Sequence, residues 1–320
     1  MKTESLSAAR DQYELTNYPY LNIGSEDFQT NSGTGSEYTS NSFFGRLLYS
    51  YANRYLFQAN VRRDGSSRFA KNYRWGTFPS FSAGWVVSEE PFMKKVNMPW
   101  LSYFKLRASW GKLGNERIGS NYFPYIALMS FGSTLFYMAD GSVVSGSTAR
   151  PAVLAVEDIT WETTTSTDLG FDANFLNNRL HVNFDYYWKK TTDMLLAIQI
   201  PYTMGYNQPN TNAGKMSTHG YDIDVSWQDH IGDFKYGISV NFSDYLSKID
   251  YLNNSDIISG GKVKRAGVLF NEYYGYICDG IYQTKEEVNN SARTSSTVTV
   301  GDLKYRDISG PDGVPDGKIS

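Results

Sequence analysis

The sequence predicts an all-β fold, specifically part of a large antiparallel transmembrane β-barrel with long extracellular loops. Several segments alternate apolar and polar residues for about nine positions, longer than the ~5–6 residues of an average strand and close to the ~9–11 that cross a membrane. Short and long links alternate between these segments. The 25 tyrosines and 18 phenylalanines on a polar background suit strands in which only every second residue meets lipid.

The clearest pattern is a hairpin at residues 163–190. Its apolar positions are Leu169, Phe171, Ala173 and Phe175 on the first strand and Leu180, Val182, Phe184, Tyr186 and Trp188 on the second. Asn177-Asn178 tolerates the positive φ of a two-residue turn. If Leu176 and Arg179 close that turn, the predicted opposite pairs are Phe171 with Phe184, Leu169 with Tyr186 and Asp172 with Asn183. A slip of one residue would mix the two faces.

The rest of the chain divides into three predicted regions. Residues 1–41, rich in Ser, Gly, Thr and Asn, are predicted to form an extracellular loop with room for one helical turn near residues 6–13. Residues 42–245 are predicted to carry the barrel strands with their loops, and residues 246–320 an extracellular region leading to further strands. About eight clear strands are predicted, at 43–51, 55–62, 78–88, 105–110, 168–175, 180–189, 221–227 and 234–242. One helical turn is expected within 89–100.

The links distinguish the two ends of the predicted sheet. The short links are 52–54, 176–179 and 229–233, the link at 89–100 is intermediate, and the long links are 64–77, 112–160 and 191–213. Outer-membrane barrels have short periplasmic turns and long extracellular loops. The polar faces should line a lumen, because a Lys or Arg at the lipid midplane costs about 2–4 kcal/mol.

Composition excludes several classes of protein. The net charge is −3 and Lys and Arg are scattered, so nucleic acid is not expected as a partner. The single cysteine, Cys278, excludes an internal disulfide and a CxxC site. The first 20 residues lack the apolar stretch of a secretory signal. Either the chain is an internal piece of a longer protein, or the membrane interpretation is wrong.

Several segments resemble the signature segments of the SusC/RagA family of TonB-linked outer-membrane transporters, typical of Bacteroidota. They are SFFGRLLYSY (42–51), RRDGSSRF (62–69), WGTFPSFSAGW (75–85), LRASWGKLGN (106–115), ITWETTTSTDLGFDANFLNNRL (159–180), DYYWKKTTDML (185–195), GYICDGIYQTKEEV (275–288) and GDLKYRDISG (301–310). They occur in family order from about residue 18 onward, which is more specific than any single short motif.

This resemblance implies a barrel of about 22 strands around an N-terminal plug, in the outer membrane of a Gram-negative bacterium. It further implies import of oligosaccharides, peptides or similar nutrients. A SusD-like surface lipoprotein would cap the barrel, and TonB-ExbB-ExbD would drive import through an N-terminal part. The chain itself resembles a middle-to-late barrel segment. Eight strands alone would leave two open edges in lipid, so the isolated chain is not expected to transport.

Ligand-binding candidates fall into two groups. Arg46, Arg62, Arg63 and Asp64 are predicted to contact substrate or plug from the lumen, the alternative being a charge network without specificity. The loop candidates are Tyr122, Tyr125, Tyr202, Tyr206, Tyr273 and Tyr274, with Phe123, Tyr137 and Tyr276. Their rings are expected to stack on sugars or pack against a lid protein, and packing within the loops is the alternative.

Calcium is the one cofactor that the sequence suggests. Asp307, Asp312 and Asp316 resemble a calcium loop, although Val314 occupies the third position counted from Asp312 and no bidentate Glu follows. An Asp-Gly turn is the alternative.

Catalysis has little support in the sequence. His181, His219 and His230 lack HExxH spacing, and GxSxG and P-loop motifs are absent. Asp168 and Asp185 would suit a glycosidase carboxylate pair, but lumenal polarity explains them better. Two other functions stay open, a soluble or secreted all-β carbohydrate-binding protein and, more weakly, a β-rich glycoside hydrolase.

Overall fold

The chain forms two compact units, Met1–Ser255 and Asp256–Ser320. The computed structural model describes residues 2–13, 17, 20–96, 98–118, 122–127, 129–151, 153–198, 200–253, 256–308 and 313–319, except for the side chains of Phe28 and Tyr202. None of the described helices has the length and hydropathy needed to cross a bilayer.

Strands account for most of the regular structure. In chain order they are β1 (Lys2–Arg10), β2 (Gln29–Glu37), β3 (Ser40–Tyr51), β4 (Tyr55–Ser66), β5 (Trp75–Val86), β6 (Leu101–Asn115), β7 (Met129–Tyr137), β8 (Val143–Pro151), β9 (Glu162–Phe175), β10 (Leu180–Ala197), β11 (Asn210–Ile231), β12 (Phe234–Leu252), β13 (Ile257–Ser259), β14 (Lys262–Lys264), β15 (Glu272–Tyr273), β16 (Cys278–Ile281) and β17 (Leu303–Tyr305). The helices are α1 (Pro91–Lys95) and α2 (Lys285–Asn290), with 3₁₀ turns at Leu21–Ile23, Glu26–Phe28, Val87–Glu89 and Tyr202–Met204.

One eight-stranded antiparallel sheet organises the first unit. Its strand order is β12-β11-β10-β9-β6-β5-β4-β3, which follows the chain except that β7 and β8 form a separate hairpin. Each of these eight strands overlaps one predicted segment. The predicted set of strands is therefore confirmed.

The central hairpin has the predicted register. Phe184 lies opposite Phe171, Tyr186 opposite Leu169 and Asn183 opposite Asp172. Asn177 and Asn178 have φ of 56° and 63°, and the amide of Arg179 donates to the oxygen of Leu176 at 3.3 Å. Leu176 is also left-handed, with φ of 54°. The turn therefore contains one more strained residue than the two-residue prediction required.

The two ends of the sheet differ as predicted. At one end the links are 52–54, 176–179, 232–233 and the longer 87–100, which contains α1. At the other end they are 67–74, 116–161 and 198–209. This asymmetry is the one that outer-membrane barrels have.

Several strands run further than predicted toward the long-link end. Strands β10, β11 and β12 have 18, 22 and 19 residues. The predicted links 64–77 and 191–213 are therefore too long, because the ladder continues to residue 66 in β4 and 197 in β10. Thr164 and Thr191 share a hydroxyl hydrogen bond of 3.0 Å in this extension. Polar residues 191–193 of β10 are followed there by the apolar run 194–197, so hydropathy no longer alternates while the backbone still pairs.

Two regions predicted to be irregular contain hairpins. Residues 1–41 hold β1 paired with β2, with Lys2 opposite Glu37, so the expected helical turn near residues 6–13 is wrong. The long link 116–161 holds the β7–β8 hairpin. Ser, Thr and Gly dominate β2, whose hydropathy carries little period-2 signal, whereas β7 places Phe131, Leu135 and Tyr137 on one face.

The apolar face of the sheet is uncovered. Phe43 and Val240 are each 61% exposed, and no described element of the first unit packs over this face. A soluble sandwich would bury such a face against a second sheet. The buried apolar cluster lies instead at the long-link end, where Phe69, Ile118, Ile159 and Trp161 meet; we call it the loop core.

The second unit is a small, loop-rich body. Strands β13, β14 and β15 form one sheet and β16 pairs with β17. Tyr282 and Val288 are buried, and Thr284 caps α2 by accepting the amide of Glu287 at 3.2 Å. Arg306 binds Asp279 at 2.6 Å and lowers the pKa of that carboxyl. These local bonds order a segment that lacks clear strand periodicity.

Candidate functional site

The polar face of the eight-stranded sheet is the candidate site. Strand alternation gathers charged and amide side chains there, and the paired registers align them from β3 to β11. The main polar residues on this face are Arg46, Gln58, Asn60, Arg62, Asp64, Lys105, Arg107, Asp168, Asp172, Asn183, Asp185, Asp222 and Asp224.

Arg107 is the centre of an ionic network on this face. Its Nε lies 2.9 Å from Asp172 Oδ1 and its Nη2 lies 2.9 Å from Asp185 Oδ2. Lys105 Nζ also reaches Asp172, at 3.3 Å. These side chains are 23–32% exposed. Each of these partly buried charges has a partner of opposite sign, which offsets the cost of removing it from water.

A glycine explains how Arg107 reaches a carboxylate two strands away. Arg107 pairs with Gly170 on β9, and Gly170 pairs with Asp185 on β10. A Cβ at Gly170 would collide with the Asp185 carboxylate and lie 2.5 Å from the backbone oxygen of Phe184. The missing side chain therefore opens the path for the ion pair. Sequence reasoning missed this arrangement because its signal, a glycine between opposite charges, needs the register of three strands.

The ion pairs of Arg107 also bear on whether Asp168 and Asp185 act as a glycosidase carboxylate pair. Asp185 is bound to Arg107, and Asp168 lies on the same face one strand away. A glycosidase needs two carboxyl groups with separate acid and base or nucleophile roles on a bound sugar. The observed ion pairs fit a structural role for Asp185 on the polar face of the sheet.

A similar glycine lies further along the face. Tyr187 pairs with Gly220, and a Cβ at Gly220 would lie 2.6 Å from the Tyr187 hydroxyl. Lys189 Nζ lies 4.2 Å from the Tyr187 ring, a cation–π contact. The tyrosine therefore lies along the polar face of the sheet instead of projecting away from it.

Two concave pockets follow this face. The larger has about 550 Å³ and is bordered by Leu48 and Leu56 on one side and by Lys105, Arg107 and Asp168 on the other. Small residues such as Ser82, Gly84 and Ser109 form its floor. A pocket with an apolar side and a charged side can hold a polar solute that also has an apolar surface.

The smaller pocket lies at the long-link end and contains predicted site residues. It has about 370 Å³, with Arg62, Asp64 and Glu116 at its rim and Phe78 and Trp161 at its base. Arg62 Nε donates to both oxygens of Asp64, at 2.8 and 2.7 Å. The structure therefore brings Arg62 and Asp64 together on the polar face, and their contact with a solute stays a prediction. Arg46 lies elsewhere on the same face and donates to Gln58 Oε1 at 2.9 Å.

Arg63 does not join this group. It lies opposite Phe43 and Thr77 on the apolar face of β4, and its guanidinium is 5.5 Å from the Trp75 ring. The expectation that Arg62 and Arg63 share a face overlooked the period of two along the strand. Arg63 lies near the long-link end of β4, which ends at Ser66.

Tyr122 and Tyr125 pack within the loops of the first unit, whereas Tyr137 is highly exposed on the β7–β8 hairpin. Tyr122 stacks with Tyr38 at 5.4 Å, and its ring lies 4.7 Å from the Arg68 guanidinium. The Tyr125 hydroxyl donates to the Ser67 oxygen at 3.3 Å. The Tyr202 side chain lies outside the described residues, and Tyr206 is half-buried in the link 198–209.

The tyrosines of the second unit are more open. Tyr273 is highly exposed, with Lys262 Nζ 5.5 Å from its ring. Tyr274 lines a pocket of about 640 Å³ together with Arg265, Tyr276 and Arg306. This pocket of the second unit offers aromatic rings and charged groups.

The calcium candidate forms an Asp-Gly turn in the described part. Asp307 accepts the amides of Asp316 at 3.3 Å and Gly317 at 2.6 Å, and Asp312 lies outside the described residues. Within the described part of the chain, no group of three or more His, Cys, Asp or Glu side chains has a metal-binding arrangement. Calcium binding by this segment stays a prediction.

Known proteins resemble this chain in sequence and in fold. The family described as "TonB dependent receptor-like, beta-barrel" matches residues 4–311. "TonB-dependent receptor SusC" of Bacteroides thetaiotaomicron is 38% identical over 232 residues, covering 70% of this chain and 22% of the relative. "TonB-dependent receptor P39" of Formosa agariphila is 33% identical over 269 residues, covering 83% and 25%.

A solved structure shares the fold at lower identity. The RagAB peptide transporter superposes with a TM-score of 0.78 at 22% identity, over 100% of this chain and 33% of that chain. A second RagAB structure, in the "closed-closed" state, gives a TM-score of 0.77 over 98% and 34%. The chain spans only 22–28% of the length of the curated relatives it matches.

Proposed function

Because the chain belongs to the TonB-dependent receptor-like β-barrel family, we propose that it forms part of the wall of an outer-membrane nutrient importer. The long links then face the cell exterior and the short links the periplasm. In this assignment residues 1–41 and 246–320 are extracellular and residues 42–245 hold the wall strands with their loops. The ladder of β12 extends the wall to Leu252.

The separation of the two faces of the sheet carries this proposal. One face is exposed and apolar, while the other holds the Arg107 network and the Arg62–Asp64 pair. Turning the charged face to lipid would cost several kcal/mol, since each Lys or Arg at the midplane costs about 2–4 kcal/mol. The charged face therefore lines the lumen and the apolar face contacts lipid.

The proposed activity is binding followed by gated passage, without covalent chemistry. The solute is an oligosaccharide, a peptide or a similar polar nutrient, and TonB-ExbB-ExbD supplies the driving force through an N-terminal part of the protein. Arg62 and Asp64 offer donors and acceptors within one pocket, which suits a solute with both kinds of group. The structural relative RagAB is a peptide transporter.

The β7–β8 hairpin supports a surface partner. Phe131, Leu135 and Tyr137 lie on one face of the hairpin, and Phe131 and Tyr137 are 82% and 83% exposed. An apolar patch in an aqueous loop region marks a protein interface. The proposed partner is a SusD-like surface lipoprotein that caps the long-link end.

Neighbouring arginines on opposite faces of β4 test the proposed lumen site. In the full-length protein, Arg62→Gln should weaken solute binding by roughly 10–100-fold, the equivalent of the ~1.5–3 kcal/mol of a charged hydrogen bond. The matched control Arg63→Gln, on the lipid face, should leave binding unchanged. Solute binding and uptake are measured on variants whose barrels keep their heat-modifiable migration in electrophoresis. Wild-type affinity in Arg62→Gln would contradict the lumen site.

A further inference from the structure

The link between β5 and β6 differs from the other links at the short-link end. Those others are residues 52–54, 176–179 and 232–233, whereas this one spans residues 87–100 and contains α1. A strand reversal needs only two to five residues. The additional chain therefore has a role other than closing the hairpin.

Buried Glu90 fixes this link to the rim of the apolar face. Its carboxylate accepts hydrogen bonds from Arg54 Nη1 and Trp85 Nε1, each at 3.0 Å. Trp85 belongs to the apolar face of β5, opposite Tyr55. Pro91 is the first residue of α1, and the backbone amide of Lys94 donates to the backbone oxygen of Glu90 at 3.0 Å. The helix is thus held at the edge where the membrane-facing surface ends.

The link also exposes three large apolar side chains. Phe92 lies in α1, Val96 and Trp100 follow the helix, and the three are 53%, 54% and 51% exposed. The ring of Trp100 stacks on Phe175 at 5.9 Å with an interplanar angle of 8°. Phe175 ends the apolar face of β9. Trp100 is therefore continuous with the lipid-facing surface.

Basic residues accompany these apolar side chains. Lys94 and Lys95 lie in the last turn of α1, and Lys94 Nζ binds Glu89 at 2.7 Å. Aromatic and aliphatic side chains next to lysines are typical of segments that lie in the membrane interface. There the rings enter the headgroup region and the ammonium groups approach phosphates.

We propose that residues 87–100 form an interfacial anchor, which inserts Phe92, Val96 and Trp100 into the headgroup region of the phospholipid leaflet at the short-link end. This inference rests on the proposed membrane orientation. The anchor would fix the depth of β5 and β6 in the bilayer, whereas the two- to four-residue turns beside it leave the bilayer directly.

Spin-label depth measurements test the anchor in the full-length protein. Cys278 is first replaced by serine, and a nitroxide is attached at Val96→Cys in phosphatidylcholine–phosphatidylglycerol vesicles. Collision rates are compared for apolar oxygen and a water-soluble nickel complex. The label at 96 should favour oxygen, whereas the label at Asp233→Cys, in a short turn at the same end, should favour nickel.

Two outcomes would overturn the anchor. Equal nickel access at 96 and 233 would place the link in water, and exclusion of both reagents at 96 would indicate contact with protein. A label at Val240→Cys, on the lipid-facing surface, separates the two proposals. If the label at 240 favours oxygen and the label at 96 does not, only the anchor fails; if neither does, the barrel orientation fails as well.

Discussion

Removal of Trp161 should release the long links while the wall strands stay folded. Trp161 is 7% exposed in the loop core, with its ring centroid 5.2 Å from that of Phe69 and 5.4 Å from that of Phe78. Its Nε1 donates to the Arg74 oxygen at 3.0 Å. The side chain therefore joins the links 67–74 and 116–161 to the end of the sheet.

The expected size of the effect follows from these contacts. Replacing a buried Trp by Ala costs about 3–5 kcal/mol through lost burial and the cavity that remains. At 1.4 kcal/mol per factor of ten, local opening of the links should become at least ~100-fold more frequent. Trp161→Phe keeps an aromatic ring and loses the hydrogen bond to Arg74, so it should cost about 1 kcal/mol plus a smaller cavity.

Amide hydrogen exchange of the full-length protein measures this opening. Trp161→Ala should lose protection in residues 67–74, and β9 and β10 should keep theirs. Trp188→Ala, which removes an exposed tryptophan of the apolar face, is the matched control and should leave the links protected. Unchanged protection of 67–74 in a folded Trp161→Ala protein would refute the role of the loop core.

Two further predictions concern the wall and its rim. Gly170→Ala should lower barrel stability by about 1–3 kcal/mol through overpacking against Phe184; thermal unfolding in detergent should show no similar loss for Gly237→Ala, whose added Cβ would have its nearest contact at 3.5 Å. Hydrogen bonds from Tyr55, Trp85 and Arg54 hold the pKa of the Glu90 carboxyl below its ordinary 4.5. A lowered folded pKa gives stability that is present above the unfolded value and lost as pH falls through the folded value. The unfolding temperature of wild type should therefore exceed that of Glu90→Gln at pH 6 and approach it below pH 4.5; a constant difference would contradict this.

The sequence is sufficient to predict structure wherever one face of a strand is apolar and the other is polar. The register of the β9–β10 hairpin follows from the alternation around Phe171 and Phe184 together with the Asn177-Asn178 turn, and the structure confirms it. The continuation of β10 past Lys190 begins with polar residues and ends in an apolar run, and β1 and β2 carry few large apolar residues. Neither segment therefore shows the period-2 hydropathy pattern of a half-apolar strand.

The candidate site was predicted less completely. The alternation of side chains along β4 is enough to separate Arg63 from Arg62. Their shared motif, RRDGSSRF, instead groups the two residues together. The Arg107–Asp185 pair depends on Gly170 and on the register of β6 against β9, which the sequence does not reveal because the long link 116–161 separates the two strands. Loop tyrosines such as Tyr122 pack against residues that are distant in the sequence, here Tyr38, and no local sequence pattern specifies such contacts.

A cysteine scan along β10 tests the central claim most directly. In the full-length protein with Cys278 replaced by serine, single cysteines at residues 180–189 are reacted with a membrane-impermeant thiol reagent in outer-membrane vesicles. Odd positions such as Asn183 and Tyr187, on the lumen face, should react faster than even positions such as Val182 and Phe184, on the lipid face. Equal reactivity along the strand, or faster reaction at the even positions, would contradict the assignment of the chain as a barrel wall.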